Sequence, residues 1–214
     1  MSNIIKSTLL AAATALTLAA SGAHATTSGT EFDFYSNGGS LLGANSSSLT
    51  FTSNGIGVTI TPVSTESGAK VNYRWDGIGV STGFLEPGEL DSSLLHSPGD
   101  ALLLSFSQAV SLSSVAFSLW EGNSSISLDK VSITTGGQTY TLSNALNVGG
   151  IAVDTFNTAS LIPAGQYFVI QAQGDTSSFR LAGLTVSAVP EAGTVVMFGL
   201  GLVGVALAAR RRQA

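Results

Sequence analysis

Five acids crowd one stretch of the chain: Asp76, Glu86, Glu89, Asp91 and Asp100. Carboxylate oxygens are hard ligands, and a loop that gathers several of them can hold calcium at the millimolar levels found outside cells. Asp76, Glu89 and Asp91 are the expected ligands, and calcium is the only cofactor the residues suggest. No D-x-D-x-D-G loop is present, so a solvated acidic loop is the plain alternative. Paired carboxylates would also suit hydrolysis of an extracellular glycan. That chemistry depends on their separation in space, which the sequence does not give.

Tyr73, Trp75 and Trp120 are aromatic faces on which a pyranose ring could stack. The competing reading buries them: alternate members of Tyr73-Arg74-Trp75 would face the core, and Trp120 ends an apolar run. Gly79-Val80-Ser81-Thr82-Gly83 fits G-x-S-x-G. A nucleophile elbow needs a helix after the serine, and here Pro87-Gly88 interrupts with no helical pattern. His96 would be the base left for it. Gly199-Leu200-Gly201-Leu202-Val203-Gly204 fits G-x-G-x-x-G but has no acid about 20 residues on, as a dinucleotide site requires. Its glycines suit close helix packing in a bilayer. No catalytic residue is assigned, and the chain is not expected to be an enzyme.

The elements that must position these residues are strands. Short β-type runs recur between Gly, Asn, Ser and Pro: 31–35, 48–53, 57–62, 72–75, 101–105, 113–120, 129–134, 138–143, 151–156, 165–173 and 179–187. In Val115-Ala116-Phe117-Ser118-Leu119 the odd positions are large and apolar, so they should face the core. Gly136-Gly137 between Thr-rich runs predicts a two-residue hairpin. A bulge is expected at Gly183. Residues 36–47 and 81–99 read as long loops. The expected fold is all-β, an antiparallel two-sheet sandwich of jelly-roll type.

Both ends of the chain carry targeting patterns. Lys6, an apolar run over 9–20 and Ala23-His24-Ala25 have the order of a signal peptide, with Ala23 and Ala25 as the cleavage residues and Thr26 as the first mature residue. At the other end, Val189-Pro190-Glu191 precedes eighteen uncharged residues, 192–209, and then Arg210-Arg211-Arg212. As a helix those residues would span about 27 Å, enough for a transmembrane helix in a thin membrane. The basic triplet would keep the C-terminus cytoplasmic. The expected division is a signal peptide over 1–25, an ectodomain over 26–188 and a sorting and anchor segment over 189–214.

The motif, apolar glycine-rich helix and arginine cluster resemble the PEP-CTERM sorting signal. Val189, Pro190 and Glu191 match its V-P-E, and Ala192 stands where the family has a second proline. The resemblance implies a membrane protease-transpeptidase, exosortase, as processing partner, in bacteria that make exopolysaccharide. Two further runs are similar to uncharacterised ectodomains of that group: Trp75–Val80 with Glu89-Leu90-Asp91 and Ala101–Phe106, and the closing Phe179–Leu184. They imply a shared sandwich and no known activity.

Composition narrows the partners. Over 26–189 four bases (Lys70, Arg74, Lys130, Arg180) meet twelve acids, a net charge of −8. Nucleic acid is excluded as a partner, because it requires a basic patch. The chain has no cysteine, so an exported domain would rest on packing and strand pairing alone. The function expected is that of an exported surface or extracellular matrix protein associated with exopolysaccharide or biofilm. It would be held at the inner membrane by its C-terminal helix and then placed at the cell surface or beyond. A carbohydrate-binding module, with or without calcium, is the alternative, and a hydrolase of extracellular glycan the third.

Overall fold

The structure is a computed structural model that describes residues 29–35, 44–64, 67–83, 88–92, 99–120, 129–143, 153–190 and 200–201. The expected signal peptide, its cleavage residues Ala23 and Ala25, His96, Glu191 and Arg210–Arg212 lie outside the described residues. So does the expected membrane helix apart from Leu200 and Gly201, which are helical. Among the described residues no helix is long and apolar enough to cross a membrane. Chain contacts divide the molecule into two units, and the strands all belong to 28–189.

Among the described residues thirteen strands form: β1 (Thr30–Asp33), β2 (Ala44–Ser46), β3 (Leu49–Ser53), β4 (Ile56–Val63), β5 (Lys70–Arg74), β6 (Gly77–Ser81), β7 (Leu90–Asp91), β8 (Ala101–Ser118), β9 (Lys130–Thr135), β10 (Gln138–Ser143), β11 (Asp154–Asn157), β12 (Gly165–Gln173) and β13 (Ser178–Ala188). All pairings are antiparallel. The tight turns follow the sequence. Gly136 and Gly137 both have positive φ, 56° and 79°, and join β9 to β10 as a type I′ turn. Asn54 and Gly55, at 47° and 78°, do the same between β3 and β4.

The strands expected in two sheets join in one large hydrogen-bonded sheet. The cause is β8. The expected strands at 101–105 and 113–120 are parts of this single 18-residue strand. Its first third pairs with β12 on one side and β4 on the other, and its last third with β13 and β11. Between them Ser107, Gln108 and Ala109 are all exposed, so the in–out alternation is interrupted while the strand continues. The expected long loops also contain strands, β2 and the two-residue β7. Near Gly183 the register slips between Leu181 and Gly183, which makes Ala182 the extra residue.

The core gathers rings from strands that are not paired with one another. Phe32 of β1 meets Phe106 of β8, Phe34 meets Phe51 of β3, and Phe51 meets Tyr73 of β5. Phe117 is fully buried on β8, as the alternation predicts. Leu119, at φ 59°, turns the chain so that the Trp120 ring stacks on Phe117 at 5.4 Å. Phe156 and Phe179 close the same cluster.

Candidate functional site

The structure gives the acidic segment a cationic partner. Asp76 lies in the turn between β5 and β6 and is buried, as is Arg180 on the inner strand β13. Arg180 Nε faces Asp76 Oδ1 at 3.3 Å, a charge contact rather than an aligned hydrogen bond. Arg180 Nη1 donates to Asn72 Oδ1 of β5 at 3.0 Å, and Asn72 Nδ2 donates to Asn45 Oδ1 of β2 at 2.8 Å. Burial pushes the guanidinium pKa down. Asp76 opposes that shift, Arg74 adds to it, and Glu89 opposes it. A fully buried guanidinium is tolerated because carboxylate and amide oxygens replace the water it has lost.

Glu89 is held from two sides. Its Oε2 accepts from the Ser178 hydroxyl, and its backbone carbonyl accepts from Val80 N at 3.2 Å. Asp91, on β7, is half-buried and pairs with Ser178 of β13, while its carbonyl accepts from Asp100 N at 2.8 Å. Among the described residues no group of three or more His, Asp and Glu side chains is arranged to hold a metal ion. Glu86 lies outside the described residues, and Asp100 is buried beside β8.

Glycines make this packing fit. A Cβ on Gly77, whose φ is +126°, would come within 2.6 Å of the Leu181 carbonyl oxygen. A Cβ on Gly79 would overlap the Gly88 carbonyl, and one on Gly88 would press on the Asn72 side chain. The glycines of the 75–80 run and its neighbour are therefore what lets β6 lie against β13 and the segment before β7. The family-like runs of the sequence were Trp75–Val80, Glu89–Asp91, Ala101–Phe106 and Phe179–Leu184; Ala101–Phe106 is the start of β8, and the other three remain. These are the segments that meet around Arg180, whose burial sequence reasoning missed.

The three aromatic candidates are not brought together. Tyr73 is buried against Phe51, and Trp120 lies under β8 with its Nε1 buried and without an acceptor among the described residues. Trp75 alone is displayed, at 52% exposure, with Tyr35 edge-on at 6.2 Å. Tyr35 went unnoticed in the sequence because only the β1–β13 pairing carries it toward the β5–β6 turn. Ser81 of the G-x-S-x-G run ends strand β6, and its hydroxyl donates to the Gly83 carbonyl at 3.2 Å. The described residues that follow it, Thr82 and Gly83, are not helical.

At the C-terminal edge of the sheet, Val189 N donates to the Ala109 carbonyl at 3.0 Å, and Pro190 follows at once. Residues 188–212 match the family model of the PEP-CTERM protein-sorting motif. The chain carries a PEP-CTERM sorting motif. That motif marks an exosortase substrate, and PEP-CTERM proteins are exported and sorted to the cell surface. No curated protein matches the chain.

Proposed function

We propose that this PEP-CTERM protein is a non-enzymatic surface or matrix protein whose β-domain works in association with exopolysaccharide. The observation that carries the reading is the sorting motif beginning at Ala188, the last residue of β13. Export through a signal peptide over 1–25 and retention by a helix over 192–209 belong to the same proposal. Two local features support a role without catalysis. The Ser81 hydroxyl is engaged by Gly83, and the best-placed carboxylate, Asp76, is matched to Arg180.

The test is intact-mass analysis of protein released from cells with and without exosortase, together with its recovery in the exopolysaccharide fraction. The expected product begins at Thr26, ends near Pro190 and co-purifies with polysaccharide in an exosortase-dependent way. Surface protein that still carries Met197 and Phe198 would refute processing. Release entirely free of polysaccharide would refute the association.

A second reading, a carbohydrate-binding module, is favoured by the display of Trp75 beside Tyr35. An indole more than half exposed offers an apolar face for a sugar ring while its rim stays wet.

A further inference from the structure

The outer face of one part of the sheet has an unusual surface chemistry. Six strands lie side by side there, β3, β4, the start of β8, β12, β9 and β10. Their alternation is regular: Ile60, Leu104, Ile170 and Ile133 point to the core. The register then aligns the outward residues in rows. One row runs Thr50, Thr59, Ser105, Tyr167. The next runs Thr61, Leu103, Val169, Thr134, Thr139. The third runs Val63, Ala101, Gln171, Ser132, Thr141, with Ala101 and Ser132 buried.

Charge is nearly absent from this face. Lys130, at one end of β9, is the one charged outward residue among the described residues of these strands. Of the acids nearest the edge of this face, Asp100 and Asp129 are buried and Asp175 is exposed in the turn after β12. Strand spacing makes the face about 24 Å wide, with same-face positions repeating about every 6.8 Å along each strand.

The hydroxyls are also held in place. Thr50 and Thr59 share a hydrogen bond at 3.1 Å, and Thr134 and Thr139 another at 2.9 Å. Gln173 donates to Ser132 and to Gln171, which in turn donates to the Gly99 carbonyl. Thr side chains are stiff at χ1, so ordering them on binding costs little. Tyr167, 58% exposed, gives the array an aromatic ring.

We propose that this face is a docking surface for an uncharged polysaccharide. The inference rests on the proposed association with exopolysaccharide and adds the site and the class of glycan. A neutral glycan presents hydroxyls and C–H faces, which match fixed hydroxyls, amides and one exposed ring. An anionic glycan would gain one lysine and meet a domain of net charge −8. A protein partner would call for an apolar core enriched in aromatics and Arg, which this face does not offer.

The test uses the full-length protein in mild detergent and affinity electrophoresis in gels containing hydroxyethyl cellulose or alginate. Retardation is expected in the neutral gel and not in alginate. Tyr167→Ala, and separately Thr50→Glu with Thr139→Glu, should weaken the neutral interaction at least tenfold, with melting temperatures unchanged. Parent protein retarded in neither gel would refute both this face and the glycan reading. Retardation that survives the face variants but is lost in Trp75→Ala would overturn the face alone and move the site to Trp75 and Tyr35. Stronger retardation in alginate would overturn the neutral assignment. Concentration-dependent dimerisation abolished by the face variants, without glycan binding, would make the face a contact between copies instead.

Discussion

Arg180 on β13 and Asp76 in the β5–β6 turn face each other at 3.3 Å inside the sheet, and Asn72 completes the guanidinium's surroundings. Taking away one member of a buried charge pair leaves the other without compensation. Arg180→Leu is therefore expected to cost about 3–5 kcal/mol in urea unfolding. Adding Asp76→Asn should recover part of that loss, because the stranded carboxylate goes with it. Additive losses in the double variant would show that the two residues do not act as a pair.

The same pairing bears on calcium. Arg180 sits beside Asp76 and is within electrostatic reach of Glu89, so the carboxylates already have a cation near them. Melting temperatures in calcium chloride and in EDTA, at matched ionic strength, are expected to coincide. A site saturated at 100 times its dissociation constant would add about 2.7 kcal/mol, a shift readily measured. An increase in calcium that Asp91→Ala abolishes would make Asp76, Glu89 and Asp91 ligands after all.

Phe117 is fully buried where β8 meets β11 and β13, with the rings of Trp120, Phe156 and Phe179 around it. Phe117→Ala should cost about 3–5 kcal/mol by equilibrium unfolding. A near-neutral result would mean that this cluster is open to water.

Tyr73 provides a pH signature. Burial, with Asp33 nearby, raises its phenol above the ordinary value of 10.0. A raised folded pKa favours the protonated native form. The associated stability is complete below pH 10 and is lost as pH rises through the folded value. Thermal melts from pH 8 to 11 should fall at the alkaline end, and Tyr73→Phe should flatten the fall. An unchanged slope in Tyr73→Phe would place the alkaline transition elsewhere.

Most strands were legible because their alternation is local. Val115 and Phe117 point inward as their spacing implies, and Gly136-Gly137 turns where its φ freedom predicts. The continuity of β8 was not legible, since Ser107-Gln108-Ala109 reads as a loop until pairing partners on either side hold it extended. The single sheet follows from that strand and was hidden with it. Within the site, the acids stood out by composition. Their partner could not, because Arg180 reaches Asn72 across 108 residues of chain, a separation no window spans. The available signal was indirect: a lone arginine inside the apolar run Phe179–Leu184.

The direct passage from β13 into Val189 and Pro190 has a mechanical consequence. Any pull on the C-terminal segment enters the domain along the axis of β13. That strand is gripped by eight residue pairs to β8 and four to β1, on opposite edges. Tension along a strand so clamped shears its bonds together instead of unzipping them singly. A surface protein tethered by this end would resist drag with a strand paired along both of its edges.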